Sequence, residues 1–266
     1  MSINLSIKAN SSIGFFDSGV GGTSIWKEVT QWLPNEHTIY LADSKNAPYG
    51  TKSKKKIIDL CRKNIDLLLS FDCKLIIVAC NTATTNAIDL MRSEYSTPFV
   101  GIEPAIKPAS MATKTGRIGI LATQGTLDSK LFHTTSQKWL KNIEIIEQKG
   151  TGIVELIESG KLYSEEMTVL LNKYCDVFKK ANVDYLVLGC SHYPFLIPQL
   201  EKLLPNQVNI IDSGLAVAKQ TEKLLKEKKL LRIDQGAVKH QFYSNTESST
   251  LLQLLGTHIN VEERPF

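Results

Sequence analysis

Two hydrophobic periods alternate along this chain, and few architectures accommodate both. Short apolar runs occupy residues 13–16, 38–41, 75–79, 99–102, 118–121, 143–146, 185–188 and 208–211. Runs of four or five residues suit strands of a parallel sheet that are buried on both faces. Amphipathic stretches lie between them. Residues 53–70 place Ile57, Ile58, Cys61, Ile65 and Leu68 at helical spacing, and residues 128–140 form another such stretch. Strand, loop, helix, strand is the α/β pattern, which predicts open, mostly parallel sheets covered by helices.

The pattern also repeats. Leu75-Ile-Ile-Val-Ala-Cys80-Asn-Thr matches Tyr185-Leu-Val-Leu-Gly-Cys190-Ser-His at an offset of 110 positions. Ile13-Gly-Phe-Phe-Asp17-Ser matches Ile118-Gly-Ile-Leu-Ala122-Thr at an offset of 105. Two landmarks in the same order predict two related α/β halves, each presenting a cysteine at a strand end. Ligands bind in such sheets at that edge, where the strand order switches. A length of 266 residues suits two domains. The expected division is 11–103 with 213–266 as one domain and 104–212 as the other, because 55 or so trailing residues are too few to fold alone.

Composition removes several classes. Hydrophobic residues at 42% and charged residues at 22% are globular values. No apolar run reaches the ~18 residues of a membrane span, and the first ten residues lack the apolar core of a signal peptide. Five cysteines without a CxxC pair suit a reducing, cytoplasmic setting rather than a disulfide framework. A net charge of +4 names no partner. The lysine run from Lys52 to Lys56 has no interleaved aromatics and reads as a solvated helix start, so a nucleic-acid role is disfavoured.

Chemistry concentrates in a few places. Cys80-Asn81-Thr82 and Cys190-Ser191-His192 each follow a strand, where a helix N-terminus would lower a thiol pKa. Cys61, Cys73 and Cys175 read as packing residues. Two symmetric thiols suit inversion of a carbon centre through a planar carbanion, with a base on one face and an acid on the other. Asp17-Ser18-Gly19-Val20-Gly21-Gly22-Thr23-Ser24 is either a tight turn or a carboxylate-binding loop, with Thr23 or Ser24 available to cap the next helix. It is neither GxGxxG nor a phosphate loop. Residues 43–50 end in Pro48-Tyr49-Gly50, a turn that is structural or covers a small ligand. His192 is a proton-transfer partner or a zinc ligand, and the absence of further clustered ligands disfavours zinc. His37, His133, His240 and His258 read as surface or satisfied core residues. Periodicity alone makes Glu155 and Glu158 solvent-facing.

At these residues the sequence resembles the glutamate racemases of bacterial cell-wall synthesis. The matching segments are Gly14-Phe-Phe-Asp-Ser-Gly-Val-Gly-Gly22, Tyr49-Gly50, Val78-Ala-Cys-Asn-Thr-Ala83, Leu121-Ala-Thr-Gln-Gly-Thr126 and Gly189-Cys-Ser-His-Tyr-Pro194. The resemblance implies two pseudo-symmetric three-layer α/β domains with the active site in the cleft between them. It implies interconversion of L- and D-glutamate without pyridoxal phosphate, metal or other cofactor, supplying D-glutamate for peptidoglycan, cell-wall biogenesis and cell shape. Carried over, Cys80 and Cys190 are the bases, Asp17 assists the first, His192 the second, and Glu158 matches the family glutamate. Asp17, Ser18, Tyr49, Gly50, Asn81, Thr82, Thr123, Ser191 and His192 are the implied substrate contacts. Ser191 stands where threonine is common, keeping the hydroxyl. Gly150-Thr151-Gly152 lacks the Cys-Pro of many members and is closer to variants that a peptidoglycan precursor activates. A homodimer is the common family assembly.

Three other readings compete. Aspartate racemases share the fold and both cysteines, though the Asp-Ser-Gly-Val-Gly-Gly and Cys-Ser-His-Tyr-Pro motifs favour glutamate. A two-lobed amino-acid binding protein would close on its ligand without chemistry. Phosphate-driven nucleic-acid binding would weaken steeply with salt.

Overall fold

The computed structural model describes residues 8–139, 143–257 and 259–266. The readings made for His258, for the 140 end of the second amphipathic stretch and for the first seven residues lie outside the described residues. β1 (Ile13–Asp17) is buried along its whole length. It runs parallel between β2 (Thr38–Ala42) and β3 (Leu75–Val78), and β4 (Phe99–Gly101) lies beyond β3. β5 (Arg117–Ala122) takes the same position in a second sheet. It lies between β6 (Glu144–Lys149) and β7 (Tyr185–Gly189), with β8 (Asn209–Ile211) outermost. The spatial orders β2-β1-β3-β4 and β6-β5-β7-β8 are the same. The sequence repeat is therefore a repeat of topology.

All eight expected strands are present, with ends shifted by up to three residues. Burial on both faces fails for β6 and β8, neither of which has a fully buried residue. Both are sheet edges, where Glu144, Glu147 and Lys149 reach solvent and guard the open edge. Two further strands, β9 (His240–Ser244) and β10 (Val261–Glu263), extend the first sheet from the free side of β2, again in parallel. Their polar residues hide them from a search for apolar runs.

Helices cover the sheets: α1 (Thr23–Trp32), α2 (Lys54–Ser70), α3 (Asn81–Glu94), α4 (Ile106–Ala112), α5 (Gln124–Leu127), α6 (Lys130–Gln137), α7 (Ile153–Glu158), α8 (Glu165–Lys180), α9 (Ile197–Leu203), α10 (Gly214–Glu227) and α11 (Ser249–Leu255). Ser53 caps α2, accepting the Lys56 N–H at 3.3 Å, and the helix buries Ile57, Leu60, Cys61, Ile65 and Leu68. The stretch 128–140 holds one helix, trimmed to Lys130–Gln137. Ser129 separates it from α5, donating to the Thr126 carbonyl at 2.8 Å while capping α6 through the Phe132 N–H at 3.2 Å. Serine competes for backbone groups in this way, and so favours caps over helix interiors. One apolar cluster runs from Phe15 and Ile25 through Leu121, Leu188 and Leu196, so the two sheets share a core.

Far from the strand C-termini, Lys74 is fully buried and its ammonium contacts both Glu36 and the Ala9 carbonyl. Glu36 also accepts the Arg232 N–H at 2.9 Å, joining the α1 terminus to the segment after α10. Burial depresses Lys74, and the Glu36 carboxylate opposes that shift. Removing one partner strands the other charge, so Lys74→Ala is expected to destabilise the fold by about 3–5 kcal/mol in urea denaturation. A loss below about 1 kcal/mol would show that water reaches Glu36.

Candidate active site

The four strands at the two switch points, β1 with β3 and β5 with β7, deliver the chemically interesting residues. Asp17 ends β1, Cys80 follows β3, Thr123 follows β5 and Cys190 follows β7. In both sheets the order reverses at that pair, which opens a crevice at the strand ends. The two crevices meet in a narrow cavity of about 10 Å³, closed down to roughly the room of one water molecule.

Ser18, Tyr49, Gly50, Cys80, Asn81, Thr82, Thr123, Cys190, Ser191 and His192 all line this cavity. Asp17 and Glu158 lie behind it. Asp17 accepts the Gly22 N–H at 2.7 Å and the Ser191 hydroxyl at 3.3 Å. Burial raises the Asp17 carboxyl, and nearby His192 opposes that rise. Glu158 is turned inward at the end of α7, contrary to the solvent-facing position that periodicity gives it, whereas Glu155 is exposed. Two further lining residues, Pro48 and Val154, were not among the expected substrate contacts. The first precedes Tyr49-Gly50, and the second belongs to the apolar face of α7.

Cys80 occupies the N-cap of α3, and its sulfur accepts the Ala83 N–H at 3.5 Å. The expected lowering of its pKa does not result. Burial pushes the thiol well above the ordinary cysteine value and the Asp17 charge adds to it, outweighing the Ala83 N–H. Across the cavity, Cys190 Sγ lies 3.8 Å from His192 Nδ1, while His192 Nε2 pairs with Glu158 Oε1 at 2.5 Å. Burial alone would depress His192. Its hydrogen bonds to Cys190 and Glu158, with the Glu158 charge, overcome that and raise it well above the ordinary value. Each sulfur thus has its own companion, Asp17 for Cys80 and an imidazolium–carboxylate pair for Cys190.

The glycine loop makes room for side chains. A β-carbon on Gly19 would lie 1.9 Å from Glu158 Oε1, and one on Gly21 would lie 2.1 Å from His192 Nδ1. The expected side-chain cap is absent: Gly22 is the N-cap of α1, Thr23 donates to the Val20 carbonyl at 2.8 Å and Ser24 donates to the Ser191 carbonyl at 2.8 Å. Ser24 thereby ties the two halves together.

Polar groups on the cavity wall differ in how they are satisfied. The Tyr49 hydroxyl is committed to Asp43 at 2.5 Å. Thr82 and Thr123 share a hydrogen bond at 2.8 Å across the two halves. Asn81 is buried, and neither end of its amide has a partner among the described residues. An unpaired buried polar group costs about 1–3 kcal/mol, so Asn81 is poised for a ligand that brings both a donor and an acceptor.

The sequence profile of the Asp/Glu/hydantoin racemases matches residues 13–221. The chain belongs to that family. It is 44% identical over 220 residues to a glutamate racemase of Pseudomonas syringae pv. tomato, covering 82% of this chain and 80% of that protein. Glutamate racemase isoform RacE1 of Bacillus anthracis has the same fold, with a TM-score of 0.84, 26% identity and coverage of 96% and 97%. The Escherichia coli glutamate racemase, in complex with L-glutamate and the activator UDP-MurNAc-ala, gives a TM-score of 0.83 at 29% identity, covering 96% and 98%. No helix among the described residues is long and apolar enough to cross a membrane.

Proposed function

We propose that the protein interconverts L- and D-glutamate by proton transfer at Cα, with Cys80 and Cys190 as the acid–base pair. The observation carrying this reading is that two thiols from equivalent strand ends line one small cavity. The thiolate on one side removes the α-proton and the thiol on the other delivers a proton to the opposite face. One sulfur gains a proton and the other loses one, so the reverse reaction starts from the arrangement that the forward reaction leaves. Asp17 assists Cys80, and His192, oriented by Glu158, assists Cys190. The substrate α-carboxylate and ammonium fall to Asn81, Thr82, Ser18 and Ser191, whose dipoles are fixed in a site shielded from water. Tyr49 contributes its ring and backbone, because its hydroxyl is already engaged.

The protein then supplies D-glutamate for peptidoglycan in the cytoplasm. The domains are 11–103 with 213–266 and 104–212, and a homodimer is the proposed assembly. A peptidoglycan precursor of the kind bound by the E. coli enzyme is the proposed activator, to be tested by adding it to the assay below.

The test is circular dichroism with each enantiomer in heavy water, without added cofactor. Optical signal should vanish from either starting enantiomer, and the product should carry deuterium at Cα. Ligand binding with no exchange of the α-proton in either enantiomer would sink the reading in favour of a binding protein.

A further inference from the structure

Glu158 orients His192 in the reaction proposed above, and a flexible carboxylate needs holding in turn. Its Oε1 accepts the Val20 N–H at 2.7 Å, and its Oε2 accepts the Ser44 hydroxyl at 2.9 Å. Ser44 sits in a short turn immediately after β2. The groups that fix this turn come from much later in the chain.

β9 pairs with β2 in parallel register, with Ser244 opposite Ala42. The next residues, Asp43 and Asn245, therefore leave the sheet side by side. The Asn245 amide uses both ends. Its Nδ2 donates to Asp43 Oδ1, and its Oδ1 accepts the Lys45 N–H at 2.9 Å. One side chain thus clamps the residues on either side of Ser44. Asp43 is fully buried and also receives Asn46 Nδ2 at 2.8 Å, so the start of the turn is anchored from several directions. A second contact comes from the same late segment. Thr250 on α11 donates to the Glu158 backbone carbonyl at 3.0 Å, at a helix end whose carbonyls lack intrahelical partners. Asn245 and Thr250 both lie beyond the residues that the family profile matches.

We propose that Ser44 and Asn245 are positioning residues for the racemisation: Asn245 sets the turn, Ser44 sets the Glu158 carboxylate, and Glu158 holds His192 beside Cys190. The proposal rests on the racemase reading. Losing one hydrogen bond to a charged group is worth roughly a tenfold change in rate. Because the two residues act in series, removing the second after the first should cost nothing more.

The experiment measures kcat and KM for both enantiomers in Ser44→Ala, Asn245→Ala and the double variant, with Ser44→Thr as the hydroxyl-retaining control. Each alanine variant should lose about tenfold in kcat, the double variant should match the worse single variant, and Ser44→Thr should stay near wild type. Effects that multiply, or a wild-type kcat in either single variant, overturn the series. Ring NMR of His192, assigned with a His192→Gln variant, reads the same link without turnover. Its signal should move in both alanine variants, and an unmoved signal overturns the proposal even if the tail is loosened. A wild-type protein inactive on glutamate would sink the racemase reading, while the ring signal would still decide whether Asn245 reaches His192.

Discussion

Cys80→Ser and Cys190→Ser are each expected to lower racemisation of both enantiomers by at least about a thousandfold, the upper range for loss of one acid–base group. Serine nearly matches cysteine in size, so packing changes little at sites that are 4% and 7% exposed. What changes is acidity. Burial and Asp17 already push the Cys80 thiol upward. A hydroxyl in that place starts several units higher and suffers the same desolvation, so its anion is not populated. Racemisation needs a group on each face, and either loss blocks both directions. Half of the chemistry should survive: the remaining thiolate can still remove the proton from the enantiomer that faces it and return a solvent deuteron to the same face. Each variant should therefore exchange the α-proton of one enantiomer without inverting it, and the two variants should choose opposite enantiomers. Deuterium incorporation by mass spectrometry, alongside chiral chromatography, reads both. A single variant that still inverts glutamate at more than a few per cent of the wild-type rate would rule out the two-thiol scheme, provided its thermal unfolding matches that of wild type.

Much of this arrangement could be read before any coordinates. Six of the eight expected strands were legible because buried parallel strands leave apolar runs, β6 and β8 showed only through the isoleucines of otherwise exposed edges, and the repeat was legible because both halves put cysteine at the same place after the same strand. β9 and β10 were not, since His240-Gln-Phe-Tyr-Ser and Val-Glu-Glu are held by pairing to β2 and to each other rather than by continuous apolar burial. The inward turn of Glu158 was illegible for a similar reason. Periodicity reports which face of a helix meets the core, but Glu158 ends a six-residue helix, where its direction is set by Val20, Ser44 and His192. Those partners lie 138, 114 and 34 positions away. The thiol acidity misled for a different reason. A helix N-terminus does act on Cys80, but a motif carries no information about the depth of burial, which here dominates.

Gly21→Ala should separate space from backbone freedom in the glycine loop. Gly21 is not among the residues with positive φ, so alanine meets no conformational penalty there. In the unfolded chain the substitution would even favour folding, by roughly 0.4–1 kcal/mol. The obstacle is a single ring. The new methyl would stand 2.1 Å from His192 Nδ1, and His192 is 1% exposed, with Glu158 at its other nitrogen. Overpacking of that kind typically costs about 1–3 kcal/mol, which outweighs the entropic gain. The ring must shift, and the shift lengthens the 3.8 Å approach to Cys190. Misplacing a catalytic group by about an ångström can cost roughly a hundredfold in rate. Gly21→Ala is therefore expected to lower kcat by about a hundredfold while lowering stability by only about 1–2 kcal/mol, the difference of the two opposing effects. Steady-state kinetics and urea denaturation on the same preparation provide both numbers. If kcat survived, the imidazole would have to work from more than one position, and the close packing of Gly21 against it would be a matter of folding alone.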